Sequence, residues 1–208
     1  MIDLAIVVTT FALIFPAELP DKTFIATLVL ATRFPRLWVW LGVAAAFAVQ
    51  VLIAVTAGGL LALAPQRLVL AVTFVLFSVG AFVMIRGGLT SRAEELSQEE
   101  DEEAEIASRA GESDATSAWK VMVTSFVILF TAEWGDLSQL LTAGLAARTG
   151  EPVSVFLGSW TALVTVSAIA VLVGSWLRAR VPIWRIRLVS GGILTLLALW
   201  TAVEFLRA

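Results

Sequence analysis

Six apolar runs of about bilayer length leave this chain few ways to fold. They cover roughly Leu4–Ala31, Leu37–Leu63, Leu68–Ile85, Val121–Ala147, Val153–Leu177 and Leu188–Leu206, and a helix needs roughly 20 residues to cross about 30 Å of hydrocarbon. Of the 208 residues, 59% are hydrophobic and 15% charged, whereas a soluble domain holds about half and about a quarter. The breaks between runs carry turn signals: Arg33-Phe34-Pro35-Arg36, Pro65-Gln66-Arg67, Arg148-Thr149-Gly150-Glu151-Pro152, and the stretch from Arg178 to Arg187 around Pro182. The expected fold is all-α, a polytopic membrane protein of six transmembrane helices in a lipid bilayer.

The chain also repeats itself. A constant offset of 115 pairs Phe15 with Phe130, Ala17 with Ala132, Glu18 with Glu133, Asp21 with Asp136, Thr23 with Ser138, Thr27 with Thr142 and Arg33 with Arg148. Gly42 matches Gly158 at 116, and Arg67-Leu68-Val69 matches Arg187-Leu188-Val189 at 120. Each copy thus holds three spans. An odd number of crossings starts the second copy from the opposite side, so the copies form two inverted three-helix repeats, an architecture common among secondary transporters. The expected division is 1–89 for the first repeat, 90–118 for a linker and 119–208 for the second.

The linker is polar and carries Glu94, Glu95, Glu99, Glu100, Asp101, Glu102, Glu103 and Glu105. Its composition suits disorder or an exposed helix, and it reads foremost as a solvated tether between the halves. Cation attraction by its acids is the sharper alternative. The connections after spans one, three and five hold ten basic residues, from Arg33 to Arg187, against Arg67, Arg148 and Arg207 on the other side. That bias places the linker in the cytoplasm and both termini outside it. The Met-Ile-Asp start lacks the positive flank of a secretory signal, so the first apolar run reads as a retained span.

There is no Cys and no His, so thiolate and imidazole ligands, which favour zinc and copper, are absent. Any metal must be held by oxygen. The net charge of −3 comes mainly from the linker, and no basic run points to nucleic acid as a partner.

Glu18 and Asp21 fall near the middle of span one, and Glu133 and Asp136 near the middle of span four. Ionised carboxylates there cost about 2.5–3.5 kcal/mol or more, so they are expected to face a protein interior or a wet cavity. A spacing of three puts each pair on one helix face, and the inverted repeat would bring the faces together. Thr23, Ser138 and Gln139 follow and add neutral oxygens. Pro20 and Gly135 occupy equivalent positions, where a helix would kink or unwind, and broken helices at matching points mark transporter binding sites.

An oxygen-only site suits hard cations such as calcium, manganese or magnesium. Four carboxylates overcompensate one divalent ion, and crowding of like charge drives some to take up protons when the metal leaves. Proton exchange follows as a hypothesis. In the plainer reading the acids are interhelical glue, but four acids and the single nearby Lys22 leave charge uncompensated. Lys22 is either a structural counter-ion or a tethered cation that stands in when the site is empty. Thr27, Thr142 and Gln50 either line a pathway or bond across helices and to their own backbone. Gly42, Gly58, Gly59, Gly80, Gly158, Gly174, Gly191 and Gly192 are expected to permit close helix packing. Trp38, Trp40, Trp119, Trp176 and Trp184 are expected to anchor span ends at the interface. Trp134 lies inside the second motif.

Over all six spans the chain resembles the GDT family of cation/proton exchangers, whose twin motifs read E-x-G-D-[KR]-[ST]. Here they are Glu18-Leu19-Pro20-Asp21-Lys22-Thr23 and Glu133-Trp134-Gly135-Asp136-Leu137-Ser138. The resemblance implies exchange of calcium or manganese for protons, with the acidic and hydroxyl residues of both motifs forming the cation site, and no resident cofactor. Pro20 stands where the family has glycine, and Leu137 where it has a basic residue. Without that second basic group the site is more negative, which is expected to strengthen divalent binding or raise the protonated fraction at neutral pH. A proton exchanger in a bacterial plasma membrane would expel the metal from the cytoplasm. The rivals are a small-solute exporter, for instance of basic amino acids, an intramembrane aspartyl protease and a structural subunit. The last leaves the midplane charges unexplained, and duplicated Glu-x-x-Asp pairs fit a single proton-sharing aspartyl dyad poorly.

Overall fold

The structure is a computed structural model that describes residues 2–18, 22–89, 92–111, 117–180 and 183–207; for 22, 92–99, 102, 173–180, 183–187 and 189–190 it describes the backbone alone. The elements are α1 (Leu4–Glu18), α2 (Lys22–Arg33), α3 (Arg36–Leu61), α4 (Gln66–Leu89), α5 (Arg92–Gly111), α6 (Ala118–Ala132), α7 (Leu137–Thr149), α8 (Pro152–Arg180) and α9 (Ile183–Arg207). Local chemistry sets several ends. Ser117 Oγ accepts from Lys120 N at the start of α6, Gly150 closes α7 in the left-handed conformation (φ +68°), and Pro152 opens α8, where its missing N–H costs nothing.

Among the described residues, α3, α4 and α8 are each long and apolar enough to cross a membrane. Spans one and four are broken: α1 and α2 meet at 69°, α6 and α7 at 76°. Counting each bent pair as one crossing gives up to five, and α9 occupies the sixth apolar run, packed along α4. The protein is a polytopic helical membrane protein.

The packing repeats with the sequence. α1 lies mainly against α8 and α3 against α6, which are equivalent contacts once the halves are exchanged. A Cβ at Gly42 in α3 would collide with the Met122 carbonyl oxygen and meet Ser125 Cβ at 3.0 Å; at Gly158 in α8 it would meet Val7 O at 2.6 Å and Thr10 Cβ at 2.7 Å. Val7 and Met122, like Thr10 and Ser125, are themselves 115 apart. The stacked pairs Phe11–Phe15 (5.3 Å) and Phe126–Phe130 (5.5 Å) obey the same offset. Trp40 Nε1 donates to Val164 O at 3.2 Å, and Trp160 Nε1 to Ala44 O at 3.0 Å. Four residues forward on α3 thus face four residues back on α8. These equivalent helices run antiparallel, as inverted repeats require.

Three expectations need correction. Trp40 is tied across to α8 rather than serving only as an interfacial anchor, while Trp176 and Trp184 lie outside the described side chains. Gly59 and Gly192 face open space, because a glycine pattern on an all-apolar helix does not say which face meets a neighbour. Gly174 lies outside the described side chains. The acidic linker is no free tether: α5 packs on α2 and touches α6. Among the described side chains of α5, Ile106 and Ala110 form a short stripe buried at spacing i, i+4. Arg109 pairs with Glu105 at 2.7 Å and reaches Thr131 Oγ1 of α6 at 3.4 Å.

Candidate functional site

Both breaks begin at a buried glutamate. Glu18 ends α1 at 2% exposure, and Glu133 caps α6 at 3%. The broken spans meet crosswise, α1 touching α7 and α2 touching α6. Thr23 and Thr27 in α2 and Ser138 and Thr142 in α7 are buried beside them. Pro20 and Asp21 lie outside the described residues, as does the side chain of Lys22. Among the described residues no three carboxylates gather within reach of one ion.

Glu133 N closes the last turn of α6 on Leu129 O (3.0 Å), and the chain bends through Trp134 and Gly135, whose φ of +78° suits glycine. Asp136 then caps α7: its Oδ2 accepts from Ser138 N at 3.2 Å and Ser138 Oγ at 3.4 Å. Gln139, expected as a neutral ligand, uses both ends of its amide on this bend. Its Nε2 donates to Glu133 O at 2.8 Å, and its Oε1 accepts from Gly135 N at 3.2 Å. From α3, Gln50, 3% exposed, donates through Nε2 to Phe130 O at 3.2 Å. Thr142 Oγ1 and Ser159 Oγ share a hydrogen bond of 3.0 Å. Thr23 Oγ1 and Thr27 Oγ1 are buried with no hydrogen-bond partner among the described residues.

Electrostatically the break joins the negative end of one helix dipole to the positive end of another. The carbonyl end of α6 favours a cation, and the amide end of α7 favours the carboxylate of Asp136. Leu137 packs toward α4, where a Cβ on Gly80 would lie 3.0 Å from Leu137 Cδ1. Trp134 is 61% exposed and rests on the Phe130 ring at 5.1 Å. Sequence reasoning gave Gln50 only an open choice, because the signal that decides it is a carbonyl on another helix.

Two half-repeats, crossed broken spans and buried carboxylates at the breaks define a membrane carrier rather than a channel lined by whole helices. The model of the divalent cation/proton antiporter GDT1 family matches residues 6–92 and 121–208, and the chain belongs to that family. It is 31% identical to a GDT1-like protein of Synechocystis over 92% of its own length and 95% of the relative's. It is 31% identical to a chloroplastic GDT1-like protein of rice, of which it spans 62%, and 30% identical to GDT1-like protein 5 of Arabidopsis thaliana, with 89% of each covered. No solved structure matches the chain.

Proposed function

We propose that the chain exchanges manganese and/or calcium for protons and exports the metal from the cytoplasm. Family membership supports the cation/proton chemistry, and the observation that carries the reading is a buried glutamate at each of two symmetry-related breaks. In this reading Glu18, Asp21, Thr23, Glu133, Asp136 and Ser138 offer oxygens to the cation, Gln139 holds the second break, Lys22 is the counter-ion, and Pro20 and Gly135 are where the spans yield. Protons replace the ion on the carboxylates, so that the site crosses back without carrying bare charge through lipid. The basic-residue bias supports a cytoplasmic linker with both termini outside, in a bacterial plasma membrane.

The test is manganese and calcium flux in proteoliposomes with and without an imposed pH gradient, comparing the native chain with Glu133→Gln and Asp136→Asn. Gradient-driven flux that both substitutions abolish is the expected result. Native flux indifferent to both would put the pathway elsewhere. Amino-acid flux without metal flux would make the protein a solute exporter.

A further inference from the structure

The repeat supplies its own control for each side chain at the breaks. Gln50 on α3 corresponds at offset 116 to Val166 on α8, and Gln139 on α7 corresponds at 115 to Phe24 on α2. Around the second break the two amides bond three backbone groups: Phe130 O, Glu133 O and Gly135 N. Around the first, Val166 and Phe24 are buried and pack together with Phe15, the counterpart of Phe130. At this pair of positions one half carries amides and the other carries hydrocarbon.

Gln50 is in neither motif, yet it touches the atom that decides where α6 ends. The last carbonyls of any helix lack intrahelical partners. At Phe130 the continuing partner would be the N–H of Trp134, beyond the helix end at Ala132. Gln50 Nε2 takes that place from across the helix interface. A part-buried carbonyl left without its donor is costly, so without Gln50 the end of α6 is held less firmly and the amides that follow it open more often, Glu133 among them.

We propose that Gln50 is a positioning residue for the second motif: it holds Phe130 O, fixes the end of α6 and so sets Glu133 in the geometry that selects the cation. The part concerning selection rests on the exchanger reading; the part concerning Glu133 does not. Manganese favours an octahedral set of oxygens, whereas calcium accepts about six to eight in a flexible arrangement, so a loosened Glu133 penalises manganese more.

The experiment uses the full chain in two measurements. Gln50→Met keeps the length and removes the donor. Hydrogen exchange of the amides from Glu133 to Asp136 is expected to quicken about tenfold, with α1 unchanged. In proteoliposomes the KM for manganese is expected to rise about tenfold and that for calcium about threefold, with Vmax within about twofold. Gln50→Glu covers the case in which the first variant does not fold: its side chain can donate only when protonated, so exchange at the break, corrected for intrinsic rate, should be slow at low pH and fast at high pH. Unchanged exchange at the break overturns the proposal. Faster exchange with both KM values moved equally overturns the selection and leaves Gln50 a structural clamp. A native chain that carries no metal refutes the exchanger reading, and the exchange measurement then decides the clamp by itself.

Discussion

The two breaks occupy equivalent places, and the positions that flank them carry different side chains. At α6–α7 the chain bends through a cap, a positive-φ glycine and two glutamine amides. At the end of α1, the positions equivalent to those amides carry Phe24 and Val166 in an apolar cluster. The far ends of the half-spans differ too. Arg148 at the end of α7 is held to α9 by Glu204 at 3.0 Å and Thr201 at 2.7 Å, beside a cavity of about 530 Å³. Its counterpart Arg33, at the end of α2, lies beside Gly111 of α5. The two copies of the repeat have therefore diverged around their breaks: the same pair of positions carries hydrogen-bonding amides in one half and buried apolar side chains in the other. Hydrogen bonds fix an angle; hydrocarbon contacts tolerate sliding.

The largest test of that contrast is removal of each glutamate. Glu18→Gln and Glu133→Gln should each lower gradient-driven metal flux at least about 100-fold, more than the loss typical of an outer-shell group. If one substitution alone is tolerated, only one half holds the ion. The symmetric packing gives the next effect. Gly42→Val and Gly158→Val each drive side-chain carbon into a backbone carbonyl and should cost about 3 kcal/mol or prevent folding, whereas Gly59→Ala should stay within about 0.5 kcal/mol. Thermal unfolding in detergent reads all three, and tolerance at only one of the paired glycines would break the equivalence of the two contacts.

Leu137→Lys restores a basic group to the second motif. A new positive charge near the site is expected to raise the KM for either metal about tenfold and to change the pH profile of transport. An unchanged profile would show that the ammonium lies too far away to be felt. Smallest is Arg148→Met. The ion pair is partly exposed, with side-chain exposures of 21% and 41%, and its loss should cost no more than about 1 kcal/mol, visible as a slight fall in unfolding temperature.

The repeat was legible because its spacing is rigid. Glu18 and Glu133 sit at helix breaks, and the bend at Gly135 falls where the motif pattern expects a helix to unwind. What escaped is what depends on facing. In lipid both sides of a span are apolar, so periodicity does not tell a core face from a lipid face: Leu52 and Ile53 are exposed while Val51 and Val55 on the same helix are buried. Gly59 was misplaced for that reason. Among the described side chains of α5 the buried apolar ones are Ile106 and Ala110, too small a stripe to stand out against eight acids. The bond from Gln50 to Phe130 O joins residues 80 apart in sequence, and no local pattern encodes it.

The crossed packing of the halves also bears on how the protein is made. α1 leaves the ribosome long before α8, its main neighbour, and α3 before α6. The early spans therefore enter the membrane before the surfaces they fit have been synthesised. Their close contacts at Gly42 and Gly158 can form only after insertion, by helices meeting within the bilayer. Assembly is bound to be late and all at once, and a chain stopped after α5 would be an inserted protein with no fold to complete.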